Sequence, residues 1–274
     1  MKHIASDANP FYRDLLKLSR NRRERRAQGL TVIDGLHLVE AYLAGGGTPR
    51  NVVVAEGAGS RREISGLLHR LPAPPISLAD GLFASLTELK SPSGILAVIP
   101  IPGVQPPTAP GCWVLLEDLQ DPGNLGSVLR SAAAAGVSDA WLSAGCADAW
   151  SPKVLRAAMG AHFSLRIHQP ADLVQAALRC PDRVIALTPN TGRSIFDLNL
   201  TGAAALAFGN EGAGLSAALR EAATEHATIP MPGRAESLNV AAAAAICLFE
   251  RVRQMSAAAR QAPEIEQVLI PKSE

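Results

Sequence analysis

Three stretches of the chain carry residues whose types and spacing could hold a polar ligand. In Asp121-Pro122-Gly123-Asn124-Leu125-Gly126-Ser127-Val128-Leu129-Arg130, Asn124 and Arg130 lie six residues apart, so both can face one end of a sheet from a single helix start. In Phe208-Gly209-Asn210-Glu211-Gly212-Ala213-Gly214, three glycines let a ligand approach the backbone closely. Glycine-rich turns of this kind often cradle phosphates. Here the spacing is GxxGxG rather than GxGxxG, and no Lys-Ser/Thr pair follows. A carboxylate at Glu211 would also repel phosphate and suits amides, hydroxyls or a cationic ligand better. The third stretch, Ile229 to Glu250, runs through Pro230-Met231-Pro232-Gly233 to Ser237-Leu238-Asn239 and then into Ala241 to Ala245. Ser237 is read as the N-cap of a helix built on those alanines, the strongest helix formers. Taken singly, the three stretches also describe a turn asparagine with a surface arginine, a glycine loop and a capped core helix.

The elements around them alternate strand and helix. Short apolar runs at Trp113–Asp118, Ala140–Leu142, Arg183–Leu187, Leu206–Phe208 and Ala227–Ile229 read as strands. Helices are expected at Leu125–Ala135, Ser151–Met159, Ser216–Ala223 and from Val240 onward. That order predicts a parallel sheet covered on both faces, with ligands gathering at the carboxyl ends of its strands. All three stretches follow such ends. Upstream, strands at Thr31–Ile33, Val52–Val54, Ile76–Ser77 and Gly94–Ile99 alternate with helices at 36–43, 61–69 and 80–86, which makes a small α/β unit.

Between them lies Pro100-Ile-Pro-Gly-Val-Gln-Pro-Pro-Thr-Ala-Pro-Gly111, whose five prolines and two glycines mark an interdomain linker. The expected organisation is an N-terminal unit over 1–99, a linker over 100–112, a second domain over 113–255 and a mobile tail over 256–274.

Composition excludes several classes. The formal net charge is +1, so global basicity argues nothing, and aromatics at 4% poorly supply a base-stacking platform. Charge is uneven, however. Residues 10–26 read as one basic helix in which Arg13, Lys17, Arg20, Arg22, Arg23, Arg25 and Arg26 face only Asp14 and Glu24. The four cysteines are scattered without CxxC or histidine pairing, which predicts free thiols, no metal centre and a reducing cytoplasm. Neither a signal peptide nor a membrane span is expected.

As an ordered set the three stretches resemble the motifs of the SpoU/TrmH family of RNA ribose 2′-O-methyltransferases, in the SPOUT superfamily. Asn124 to Arg130 resembles motif 1 (N-x-G-x-x-x-R), Phe208 to Gly214 motif 2, and Ile229 to Asn239 motif 3 (IPM…SLN). Ser151-Pro152-Lys153-Val154-Leu155-Arg156-Ala157-Ala158-Met159-Gly160-Ala161, with Lys153 and Arg156 on one side of a Pro-initiated helix, resembles the ribosomal-RNA-directed branch. Residues 31–99 resemble its L30e-like substrate-binding domain, with TVIDGLHLVEA where the family usually has a phenylalanine-led version.

The resemblance implies an α/β fold whose C-terminal segment threads a deep trefoil knot, S-adenosyl-L-methionine as cofactor, RNA as substrate and a homodimer. It implies cofactor contacts at Gly209, Ile229, Met231 and Leu238, and a catalytic set of Arg130, Asn124, Ser237, Asn239 and Glu211. In that set Arg130 holds charge, Asn124, Ser237 and Asn239 orient it, and Glu211 fixes the motif 2 loop or the dimer edge. A transfer-RNA substrate and a binding protein that has lost catalysis remain the alternatives.

Overall fold

The computed structural model describes residues 1–71, 73–103, 106, 111–180, 182–189 and 193–261. The remainder, including part of the expected linker and the end of the expected tail, lies outside the described residues.

The N-terminal unit contains β1 (Lys2–Ile4), α1 (Pro10–Arg20), α2 (Arg22–Gln28), β2 (Leu30–Asp34), α3 (Leu36–Ala44), β3 (Asn51–Ala55), α4 (Arg62–Leu68), β4 (Ile76–Leu78), α5 (Asp80–Ala84) and β5 (Ile95–Pro100). Its sheet runs β1-β4-β3-β5-β2, with β5 antiparallel to both its neighbours. Strand periodicity sends Val32 and Val53 to one face, against Leu15 and Phe83. Ile33, Val52 and Val54 go to the other, against Val39 and Leu67. The expected single basic helix is two. Asn21 ends α1 in an extended conformation (φ −116°, ψ 113°), and its side chain accepts the amides of Arg23 and Glu24 to start α2. Asparagine competes with the helix for backbone donors, and here it wins.

The second unit continues with β6 (Cys112–Leu116), α6 (Pro122–Ala134), β7 (Asp139–Leu142), α7 (Pro152–Ala158), β8 (Arg166–His168), α8 (Leu173–Arg179), β9 (Arg183–Leu187), β10 (Ala204–Phe208), α9 (Ala217–Ala222), β11 (Glu225–Ala227) and α10 (Val240–Gln261). Its six strands are all parallel in the order β11-β9-β10-β6-β7-β8. The strand order reverses beside β6, which puts the crevice between the loops after β6 and β10. Val114, Leu116, Leu206 and Phe208 pack with α6, α7 and α10, while Trp113, Leu115, Ala205 and Ala207 pack with α8 and α9.

Several local expectations are corrected. Asn124 lies inside the first turn of α6, because Asp121 takes the N-cap and Pro122 the first helical position. Asn239 rather than Ser237 caps α10, its Oδ1 accepting the amides of Ala241 (2.9 Å) and Ala242 (3.4 Å). α10 also continues past Met255 to Gln261, since Ser256 to Arg260 favours helix and Pro263 is the first breaker.

The two units meet through α7. Leu155 enters the apolar core of the N-terminal sheet, the Phe163 ring packs at a tilt against Tyr42 with centroids 5.2 Å apart, and the Thr31 hydroxyl donates to the Trp150 carbonyl at 2.6 Å. Lys153 and Arg156 are spent inside the molecule: Lys153 pairs with Glu88 at 3.3 Å, and Arg156 reaches Asp34 and Glu88, each at 3.5 Å. On its other side α7 presses on α6 at Gly126, where a Cβ would lie 2.4 Å from that of Ala157.

The tightest link is Arg25. It donates to Asp148 through Nε (2.9 Å) and Nη2 (2.6 Å), and to the Leu18 carbonyl through Nη1 (2.8 Å). The two side chains are 4% and 11% exposed, so removing one leaves a desolvated charge behind. Arg25→Ala should lower stability by about 3–5 kcal/mol, read as a shift in the urea midpoint. A loss below about 1 kcal/mol would show the pair to be ornamental.

Candidate active site

The loops after β9, β10 and β11, with the start of α10, line a cavity of about 410 Å³. Its walls come from Leu187, Phe208, Ile229, Met231 and Leu238, with the backbone of 209–214 along one side. The 209–214 loop is held shut by its own hydrogen bonds. Asn210 and Gly214 exchange N–H···O=C bonds at 3.1 and 2.9 Å, and the Asn210 Oδ1 accepts from Gly212 (2.9 Å) and Ala213 (3.0 Å). Gly214 sits at φ +70°, a conformation that glycine adopts without strain. Gly209 is required for a different reason: a Cβ there would lie 2.2–2.4 Å from backbone atoms of Gly214 and Leu215.

Gly209, Ile229, Met231 and Leu238, expected at the cofactor, all line this cavity, as do Glu211 and Ser237. Asn124 and Asn239 lie outside the lining but are tied to it. Asn239 Nδ2 donates to Asn124 Oδ1 at 2.9 Å, and Asn124 Nδ2 donates to Glu211 Oε1 at 2.8 Å. Both amides are oriented from their ends. Asn239 Oδ1 is committed to capping α10, so its NH₂ must face Asn124, while Glu211 offers acceptors only. The three motifs are thus joined by one directional chain of hydrogen bonds.

Arg130 is not part of that chain. It sits one and a half turns further along α6, on the exposed side shared with Gly123, Ser127 and Ala134. Among the described residues it makes no hydrogen bond or ion pair and does not line the cavity.

The charge of the cavity is one-sided. Glu211 and Glu236 are the only ionisable side chains among its lining residues, and no lysine, arginine or histidine is present there. That environment opposes a diphosphate and suits a cationic ligand with an apolar ring system. S-adenosylmethionine, a sulfonium attached to adenosine, fits these walls. No cysteine is among the lining residues, and burial pushes Cys112 up to about 11 and Cys247 up to about 12. Among the described residues no group of three or more His, Cys, Asp or Glu could hold a metal ion.

Three residues that the motif pattern did not single out also shape this edge. Asn210 folds the glycine loop and donates to the Asp118 carbonyl at 2.9 Å. Asp118, at φ +53°, binds the Ser143 hydroxyl at 2.6 Å and so links the ends of β6 and β7. An Asx-turn signature marked Asn210; for Asp118 and Ser143 no local signal existed.

Residues 111–249 match the SpoU rRNA methylase family, and residues 9–97 match the MRM3-like substrate binding domain. Over 261 residues the chain is 33% identical to an uncharacterized tRNA/rRNA methyltransferase of Synechocystis, covering 93% of this chain and 95% of the relative. It is 34% identical to the 23S rRNA (guanosine(2553)-2′-O)-methyltransferase RlmP of Bacillus subtilis, covering 91% and 98%. Among solved structures, the SpoU methyltransferase AviRb from Streptomyces viridochromogenes, in complex with AdoMet, superposes with a TM-score of 0.82 at 29% identity, covering 90% of this chain and 98% of AviRb.

Proposed function

Because the chain belongs to the SpoU rRNA methylase family, we propose that it transfers the methyl group of S-adenosyl-L-methionine to a ribose 2′-hydroxyl of ribosomal RNA. The observation that carries this reading is the cavity lined by two carboxylates and no cation, walled by motifs 2 and 3 and tied to motif 1 through Asn124. A dinucleotide would find no partner for its phosphates there. The discriminating experiment is thermal unfolding with S-adenosylhomocysteine or NAD. Stabilisation by the first alone supports the reading; stabilisation by NAD alone overturns it.

Residues 1–99 form the RNA-binding unit and 113–255 the catalytic one, joined by the linker over 100–112, and α10 carries the second unit on to Gln261. When bound, S-adenosylmethionine supplies an activated methyl on a sulfonium, so the chain's own task is to place the hydroxyl and manage its charge. Gly209, Ile229 and Leu238 hold the cofactor largely through backbone groups, and Met231 adds apolar contact. Asn124 and Asn239, oriented by Glu211, present amide groups beside the cavity, and Ser237 lies on its rim. Arg130 holds the neighbouring phosphate and stabilises developing oxyanion charge. The 229–240 segment is read as part of the trefoil knot of the family, and the enzyme as cytoplasmic. Among the described residues no helix is long and apolar enough to cross a membrane.

We further propose a homodimer through α6 and α10. Exposed Ala242 and Phe249 (48% exposed), with half-buried Ile246 between them, form a stripe on α10, which packs beside α6. Arg130 stands on the exposed side of α6 rather than at its own chain's cavity, so this pairing would supply a cation to the site. Phe249→Glu should convert the dimer to monomer in sedimentation equilibrium and reduce methyl transfer in parallel. A dimer that survives the substitution places the interface elsewhere.

A further inference from the structure

The arginines of α2 do not share one task. Arg25 faces inward and is consumed by Asp148. Arg23 lies about 160° round the helix from it, exposed and without a side-chain partner among the described residues. Arg22 and Arg26 are one turn apart on the flank between; among the described residues neither forms an ion pair, although the charge of Asp148, committed to Arg25, also acts on Arg22. Arg22 is half-buried: its Nη1 donates to the Cys146 carbonyl at 3.5 Å, while its buried Nε has no hydrogen-bond partner. Burial, and after it the nearby Arg26 charge, pull the Arg22 pKa below the usual arginine value. Two like charges held together at the cost of a desolvated donor point to an anion that completes the set.

Their position says which anion. Cys146 and Asp148 belong to the loop after β7, at the carboxyl edge of the catalytic sheet. Cys146 leads through Ser143 to Asp118, and the Asp118 carbonyl accepts from Asn210 on the cavity wall. Arg25 therefore docks α2 on the same edge at which the cavity opens. We infer that Arg22 and Arg26 form a phosphate clamp for the RNA strand that leaves the catalytic cavity and crosses onto the N-terminal unit. This rests on the RNA methyltransferase reading above and adds where the strand runs. Guanidinium pairs are well shaped for a phosphodiester, whose oxygens accept two forks at once.

The test uses the full-length chain and deproteinised ribosomal RNA from a strain lacking the gene. Arg22→Gln/Arg26→Gln should weaken RNA binding roughly tenfold or more. It should also lower the slope of log Kd against log salt by roughly one to two. The KM for RNA should rise while kcat at saturating RNA stays within about twofold, because the clamp touches no reacting atom. Arg22→Lys/Arg26→Lys should restore the salt slope but only part of the affinity. S-adenosylhomocysteine should stabilise all variants equally, which shows them folded. Arg23→Gln, on the far flank, should change Kd by less than about twofold. Wild-type-like binding by the double Gln variant overturns the clamp, and so does an equal loss from Arg23→Gln, which would mean diffuse attraction only. If the wild-type chain itself neither binds nor methylates the RNA, the functional reading falls, and the clamp with it.

Discussion

Arg130→Ala should lower kcat for RNA methylation by roughly 10²–10³ while leaving the affinity for S-adenosylhomocysteine unchanged, since the side chain stands outside the cavity lining. A guanidinium keeps its proton across the working range of pH, so it cannot serve as a general base. It can hold a phosphate and face negative charge as the 2′-oxygen attacks. Arg130 is placed for such work because it is exposed and has no partner among the described residues, whereas Arg25, Arg156, Arg166 and Arg183 are all committed to carboxylates. Lysine keeps the charge but loses the planar fork, so Arg130→Lys should still fall at least about tenfold. Near-normal turnover in the lysine variant would show that charge alone suffices and would sink the assignment.

Gly209→Ala should cost the second largest effect, through the cofactor rather than the chemistry. The added methyl would overlap the backbone of Gly214 and Leu215, and no flexible side chain is available to yield. The Asn210–Gly214 pairing must open, and with it one wall of the cavity. Overpacking of this kind costs roughly 1–3 kcal/mol. Affinity for S-adenosylhomocysteine, measured calorimetrically, should therefore drop roughly tenfold to a hundredfold, and the unfolding midpoint of the ligand-free chain should fall with it. Unaltered affinity would mean that the loop is pliable and does not shape the cofactor site.

The strands of the catalytic sheet were legible because each is a short apolar run flanked by turn residues, and the three motifs were legible because their order and spacing are distinctive. What could not be read locally was decided by partners distant in the chain. Ser237 and Asn239 are both good capping residues; Asn239 takes the role, and the same side chain also bonds Asn124, 115 positions away. The basic run around Asn21 reads as one helix until an asparagine side chain captures two amides within it. Arg25 looks like its arginine neighbours until Asp148, 123 residues later, claims it. Lys153 and Arg156 likewise pair inside the molecule with Glu88 and Asp34. The three-residue strands β1 and β8 are too short for periodicity to declare itself, and each forms by pairing along an existing edge.

The most direct measurement is transfer of tritium from labelled S-adenosylmethionine to total RNA from a strain lacking the gene. The RNA is then separated by size and mapped for resistance to alkaline cleavage. Label is expected in one ribosomal RNA, at a site where the backbone resists alkali because its 2′-oxygen carries the methyl. Label that appears only in transfer RNA would keep the chemistry and contradict the substrate. Cofactor bound with no label in any RNA would contradict the central claim.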